Sequence, residues 1–128
     1  MIRAAALCLL ATPALADAPV NVPSGQQVSL HEVLTDTNPG ALWVRFRFLA
    51  PGIARAKGEV SQESAAADMD YLCDVLAVAY VRQHALRPER VVISMADRPV
   101  VFGKANPEAT QFFSSYSLAE GRCIWEEF

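Results

Sequence analysis

The chain has 128 residues, with 11 basic and 14 acidic side chains and a net charge of −3 at pH 7. This length is enough for one domain with its own core and too short for two domains of ordinary size. The acidic balance argues against the basic surface by which nucleic-acid-binding domains contact phosphates, so no nucleic acid is predicted as a partner.

Residues 1–16 have the composition of a signal peptide. A basic residue near the start precedes an apolar run over residues 4–11, and Ala14-Leu15-Ala16 supplies the small residues that signal peptidase accepts. The alternative, a transmembrane anchor, needs about 20 apolar residues, whereas this run is shorter and is followed by Pro13. The sequence therefore predicts export, to a bacterial periplasm or as a secreted protein, with Asp17 as the new N-terminus.

Cleavage changes the charge and the cysteine content of the predicted mature chain. Removing 16 of the 128 residues leaves 112, with 10 basic and 14 acidic side chains, because the removed segment carries Arg3 and no acid. Cys8 is lost as well, so that Cys73 and Cys123 remain. Two cysteines in an exported domain predict a disulfide bond, with two separate thiols as the alternative. Neither these cysteines nor the two histidines have the spacing of a metal site, and no cofactor is predicted.

An arm and two strands are predicted first. Residues 17–25 carry two prolines and several turn formers, which predicts an extended N-terminal arm before a single domain of residues 26–128. Residues 27–34 favour a strand. Residues 42–48 alternate strictly, so that this second strand directs every other side chain to the core. The side chains predicted to face the core are Leu42, Val44, Phe46 and Phe48.

A helix follows, with Ser61 as its predicted N-cap and residues 62–84 as its body. Apolar residues recur at helical spacing and predict the side that packs on a sheet. They are Ala65, Met69, Leu72, Leu76 and Ala79. Three aspartates in this segment resemble a calcium loop only superficially, because Leu72 stands at a ligand position and Cys73 at the position that needs glycine.

Three further strands are predicted after the helix. Residues 90–95 are rich in β-branched side chains, with residues 100–102 as a possible short continuation, and residues 110–118 and 122–125 are predicted to form a hairpin. The elements together predict an α+β fold. It is a two-layer sandwich in which one main α-helix packs on a mainly antiparallel sheet of about five strands, in the order β-β-α-β-β-β.

Candidate binding residues lie on the second strand. Trp43, Arg45 and Arg47 point away from its phenylalanines and form a strip about 14 Å long at normal strand rise. Two guanidinium groups beside an indole suit a carboxylate, a phosphate or an acidic partner peptide. The alternative is a solvated sheet face whose arginines pair with neighbouring acids.

Other residues that could bind a ligand or take part in catalysis are isolated in the sequence. Arg98 follows Asp97 at a predicted strand end, where the pair can reach a ligand or close a turn on itself. His31 and His84 have no Ser, Cys or Asp nearby that completes a recognisable triad. No phosphate loop, nucleophile elbow or HExxH motif is present, so no catalytic residue is assigned.

Four segments are similar to those of a known family. They are Leu42–Phe48, Ala66–Cys73, Val92–Pro99 and Cys123–Phe128. Together they resemble an uncharacterised family of small exported alphaproteobacterial proteins of unknown function. The resemblance covers nearly all of the predicted mature chain and implies export and the two matched cysteines, but no activity.

Three functions remain open from the sequence. The first is a non-catalytic domain that binds an envelope protein or another envelope component through the Trp43, Arg45, Arg47 strip. The second is a binder of a small anionic ligand through Arg45, Arg47 and Arg98. The third is an enzyme that uses scattered residues such as His31, His84 or Asp97.

Overall fold

The computed structural model describes residues 17–37, 40–55 and 58–128. The predicted signal peptide, residues 1–16, lies outside the described residues. Within them, six strands form one sheet in the spatial order β1-β2-β3-β4-β5-β6. The strands are β1 (Ala18–Val20), β2 (Val28–Asp36), β3 (Trp43–Leu49), β4 (Arg90–Ala96), β5 (Gln111–Ala119) and β6 (Arg122–Glu126).

The helical layer lies between β3 and β4 in the sequence. It consists of α1 (Gln62–Leu72), a π-helical turn (Cys73–Ala77) and α2 (Val78–Gln83). Because the chain crosses over the sheet through this helix, β3 and β4 pair in parallel, whereas the other neighbouring strands are antiparallel. None of the helices in the described part of the chain is long and apolar enough to cross a membrane.

The predicted α+β fold, with one helix on a sheet, is confirmed, but the strand count and order are corrected. The sheet has six strands rather than about five within the described residues, in the order β-β-β-α-β-β-β. The additional strand, β1, lies in the segment predicted as an extended arm. The prolines of this segment argued against a strand, but Pro19 is tolerated because β1 is at the edge of the sheet that the described residues form. Residues 100–102 are not a strand.

The helix buries a different side in its second half than the sequence predicts. Ser61 caps it by accepting a hydrogen bond from the Ser64 N–H at 3.0 Å, and Ala65, Met69 and Leu72 are buried as predicted. From the end of the π-helical turn onward Ala77, Val78 and Val81 are buried, whereas Leu76 is half-buried against the core and Ala79 is exposed. A π turn inserts one residue into the helical repeat and so rotates everything that follows.

One covalent bond and one hydrogen bond join the helical layer to the last two strands of the sheet, β5 and β6. Cys73, in the π-helical turn, forms a disulfide with Cys123 of β6. Tyr116 of β5 is buried and donates a hydrogen bond to the carboxylate of Asp70 at 2.7 Å. Burial and this contact with a carboxylate raise the pKa of the Tyr116 phenol, so the hydroxyl stays protonated and remains a donor.

A buried carboxylate holds the N-terminal arm to the helix. Asp68 is fully buried and accepts hydrogen bonds from the Ser24 N–H at 3.0 Å, from the Ser24 hydroxyl at 2.6 Å and from the Gln26 side-chain amide at 2.8 Å. A charged carboxylate is tolerated in a core only when such donors replace its water. These bonds attach the end of the arm to α1.

Candidate functional site

Trp43, Arg45 and Arg47 lie on the sheet face that the helix does not cover, here called the open face. They alternate along β3 with Val44, Phe46 and Phe48, which are at most 1% exposed beneath the helix. The predicted side-chain directions of this strand are therefore confirmed. In the described residues the opposite side of β3 is filled by the core, so a ligand would meet both arginines on the open face.

Both arginines have acidic neighbours on β2. Arg47 pairs with Glu32, which lies directly opposite it in the strand register, and its second terminal nitrogen donates to the Val100 carbonyl at 2.8 Å. Arg45 forms a looser ion pair, with 3.6 Å between its nitrogen and an oxygen of Asp36. The pairing of these arginines with neighbouring acids, the alternative considered from the sequence, is thus present.

The loop between β4 and β5 folds back over these arginines. The ring centroid of Phe102 lies 5.2 Å from the guanidinium carbon of Arg45 and 5.4 Å from that of Arg47. The Trp43 ring lies 5.2 Å from the same Arg45 carbon. These distances are in the range of cation–π contacts. As a result the side chains of Arg45 and Arg47 are only 21% and 12% exposed.

A cavity of about 320 Å³ remains between this loop and the sheet. Val92 and Ser94 of β4 form its floor, Arg45 and Arg47 line its β3 side, and Gln111 and Phe113 line its β5 side. Its roof consists of residues 100–104. We call Arg45 and Arg47 the arginine wall and residues 100–104 the roof. The cavity therefore has a cationic side on β3, whereas its β5 side combines an aromatic ring with an amide.

Arg45 is the residue of the arginine wall whose hydrogen-bond donors are not all used within the described residues. Its Nε atom is buried and has no hydrogen-bond partner among the residues that the structure describes. Guanidinium groups carry five N–H donors in a planar fork, and a buried donor without a partner costs about 1–3 kcal/mol. Because this Nε has almost no exposed surface as it lies, an acceptor in the cavity would recover part of this free energy only once the guanidinium turned toward it.

The family of the chain follows from a comparison with protein-family models. A model described as "Family of unknown function (DUF6497)" matches residues 5–128. The chain belongs to this family. The match spans every described residue of this DUF6497 domain, and it confirms the resemblance to an uncharacterised family. Separate comparisons with curated proteins and with solved structures found no match.

A third arginine of the DUF6497 domain lies on the open face and was missed by the sequence analysis. Arg90 of β4 is the register partner of Trp43, and its guanidinium carbon lies 5.8 Å from the Trp43 ring centroid. Its terminal nitrogen donates to the Ser115 hydroxyl at 2.9 Å. The alternation of β4 could have placed Arg90 on this face, but only the parallel pairing with β3 brings it to Trp43.

Arg98 does not line the cavity. It forms an ion pair with Asp97 at 3.0 Å and a longer one with Glu108 at 3.8 Å, and Asp97 also accepts a hydrogen bond from the Thr110 N–H at 2.9 Å. Burial raises the pKa of Asp97, but the hydrogen bonds from Arg98 and Thr110 outweigh it and hold the pKa below its usual value. The closed turn, one of the two alternatives, is the arrangement observed.

The histidines are also separate from the cavity. His31 Nδ1 lies 3.0 Å from a carboxylate oxygen of Asp17, on the neighbouring strand end. The His84 ring stacks on Tyr80 with 4.1 Å between centroids and contacts the Tyr80 carbonyl at 2.9 Å. Among the described residues, no group of three or more His, Cys, Asp or Glu side chains is arranged to hold a metal ion.

Proposed function

We propose that this domain is a binding protein that holds a small organic anion in the cavity between the open face and the roof. The observation that carries the proposal is that both guanidinium groups of the arginine wall border one partly enclosed volume of about 320 Å³. Ligand sites are concave, mainly apolar and supplied with a few convergent polar groups, and this cavity has that composition.

The charge of the ligand follows from the donors of the arginine wall. Guanidinium groups bind carboxylates and phosphates through paired N–H bonds, and such charge-assisted bonds are stronger away from bulk water. Arg45 and Arg47 are mostly shielded from solvent, and the Arg45 Nε has no partner in the described residues. An anionic acceptor therefore suits this wall better than a neutral or cationic group.

Partial covering of the arginines favours a small molecule over a protein. An extended partner peptide would need the Trp43, Arg45, Arg47 strip to be open, whereas Phe102 lies over both guanidinium groups. A small ligand can occupy the cavity with the roof in place. The adaptor hypothesis, which relied on this strip as an exposed surface, is therefore less well supported.

We place the protein in the periplasm, or outside the cell, as part of the same proposal. The signal-peptide pattern of residues 1–16 supports export. The Cys73–Cys123 disulfide suits an oxidising compartment, where such bonds persist. We propose a non-catalytic role because the residues considered for catalysis, His31, His84 and Asp97, lie outside the cavity lining.

The first test of binding is the variant Arg45→Met, which removes the guanidinium and keeps an apolar stem. We expect it to weaken binding of the tightest anion about 30-fold, because a charge-assisted hydrogen bond contributes about 1.5–3 kcal/mol. Isothermal titration calorimetry with acetate, benzoate and phenyl phosphate measures this affinity in wild type and variant.

The matched control is Arg122→Met, which removes the same charge at an exposed position near the β5–β6 turn. We expect it to bind as wild type does. The proposal is wrong if none of the three anions binds the wild-type domain, or if Arg45→Met and Arg122→Met have the same affinity as wild type.

A further inference from the structure

Resting on the proposed function, we infer that the cavity selects a carboxylate with a single negative charge and one flat, apolar ring. Three features of the cavity lead to this ligand class. They are the balance of charges around it, the direction in which its polarity changes, and its volume.

The charges around the cavity leave room for one anionic charge. Arg45, Arg47 and Lys104 line it, and no acidic side chain among the described residues does. Two of these three cations already have a carboxylate neighbour on β2, because Asp36 pairs with Arg45 and Glu32 with Arg47. One positive charge remains, so a monoanion neutralises the site, whereas a dianion such as a phosphate monoester brings an excess of negative charge near Glu32 and Asp36.

The polarity of the cavity changes across the strands. The arginine wall is on β3, and Phe113 and Gln111 are on β5, with Val92 and Ser94 of β4 between them. Ser94 is the register partner of both Arg47 and Phe113. Two strand spacings separate β3 from β5, which is about 10 Å. A ligand that follows this arrangement places its anionic group at the β3 end and its apolar body toward Phe113, over the floor of Val92 and Ser94.

The volume and the roof favour a compact, flat body. The cavity volume of about 320 Å³ is near the lower end of the range for ligand sites, which is about 300–1,000 Å³. Phe102 in the roof and Phe113 at the β5 side supply two aromatic surfaces for a ring, and aromatic pairs favour stacked or edge contacts. A long acyl chain or a nucleotide needs more space.

Four probes of similar chemistry separate these features. Isothermal titration calorimetry on the domain with its disulfide formed compares benzoate with benzamide, acetate and phenyl phosphate. Benzamide is neutral, acetate lacks the ring, and phenyl phosphate carries the ring with a second negative charge at pH 8. We expect benzoate to bind about tenfold or more tightly than each of the others.

Variants assign each feature to its residue. Phe113→Ala removes an exposed ring from the open face, and we expect it to weaken benzoate binding without changing acetate binding. Lys104→Met removes the cation of the roof, which has no ion-pair partner in the part of the chain that the structure describes, and we expect it to weaken the binding of both benzoate and acetate. Both variants leave the buried core intact, and unchanged circular dichroism confirms that they fold.

Each outcome has a separate meaning. If phenyl phosphate binds as tightly as benzoate, the inferred single charge is wrong, while anion binding stands. If acetate equals benzoate, or if Phe113→Ala leaves benzoate binding unchanged, the inferred ring is wrong. If benzamide equals benzoate, or no probe binds, the proposed anion-binding function is itself wrong.

Discussion

Removing the Cys73–Cys123 disulfide is expected to lower the free energy of unfolding by about 3–4 kcal/mol. The bond closes a loop with a sequence separation of 50 residues, and a cross-link over such a loop reduces the chain entropy of the unfolded state by about 4 kcal/mol on the simple model. It also joins the π-helical turn to the edge strand β6, where the Cys123 N–H donates to Asp74 at 3.1 Å.

Chemical denaturation of the double variant Cys73→Ala, Cys123→Ala measures this loss. Wild type in reducing agent is the matched control and should have nearly the same stability as the double variant. A difference between oxidised and reduced wild type smaller than about 1 kcal/mol would show that β6 is held mainly by its hydrogen bonds to β5.

Replacing Asp68 is expected to cost about 2–3 kcal/mol. The variant Asp68→Ala leaves the Ser24 N–H, the Ser24 hydroxyl and the Gln26 amide without their acceptor, and each unsatisfied, partly buried donor costs free energy. Residues 17–26 should also lose protection from amide hydrogen exchange, because this carboxylate ties them to the helix.

Thermal and chemical denaturation measure the effect of Asp68→Ala, and Glu59→Ala is its control. Glu59 is an exposed carboxylate next to the same helix, so its loss removes the same charge without a buried network. Equal stability of the two variants would mean that the N-terminal arm is held by the strand pairing of β1 alone.

Local patterns predicted most of the secondary structure but not its long-range geometry. The alternation in β3 correctly separated the buried Val44 and Phe46 from Arg45 and Arg47. By contrast, the π-helical turn has no simple sequence signature, and it rotated the buried side of α2 away from Ala79. Pro19 concealed β1, because proline is depleted in strands except at sheet edges.

The sequence predicted only part of the candidate site, again because local patterns do not reveal long-range contacts. Period-two alternation was enough to place Trp43, Arg45 and Arg47 on one face. The cavity depends instead on contacts between distant residues, such as the hydrogen bond from Arg47 to the Val100 carbonyl, 53 positions away. No local pattern indicates that residues 100–104 return to cover β3. Arg98 was grouped with the strip because it ends a strand, whereas its nearest acid is its neighbour Asp97.

Anion binding by the arginine wall is tested most directly by NMR spectroscopy of the arginine Nε–Hε groups during a benzoate titration. We expect the Arg45 resonance to shift most, because its Nε is buried and has no partner among the described residues. Nuclear Overhauser contacts should connect the benzoate ring to Phe113. If benzoate causes no shift at Arg45 or Arg47, or shifts only residues outside the cavity, the open face is not an anion site.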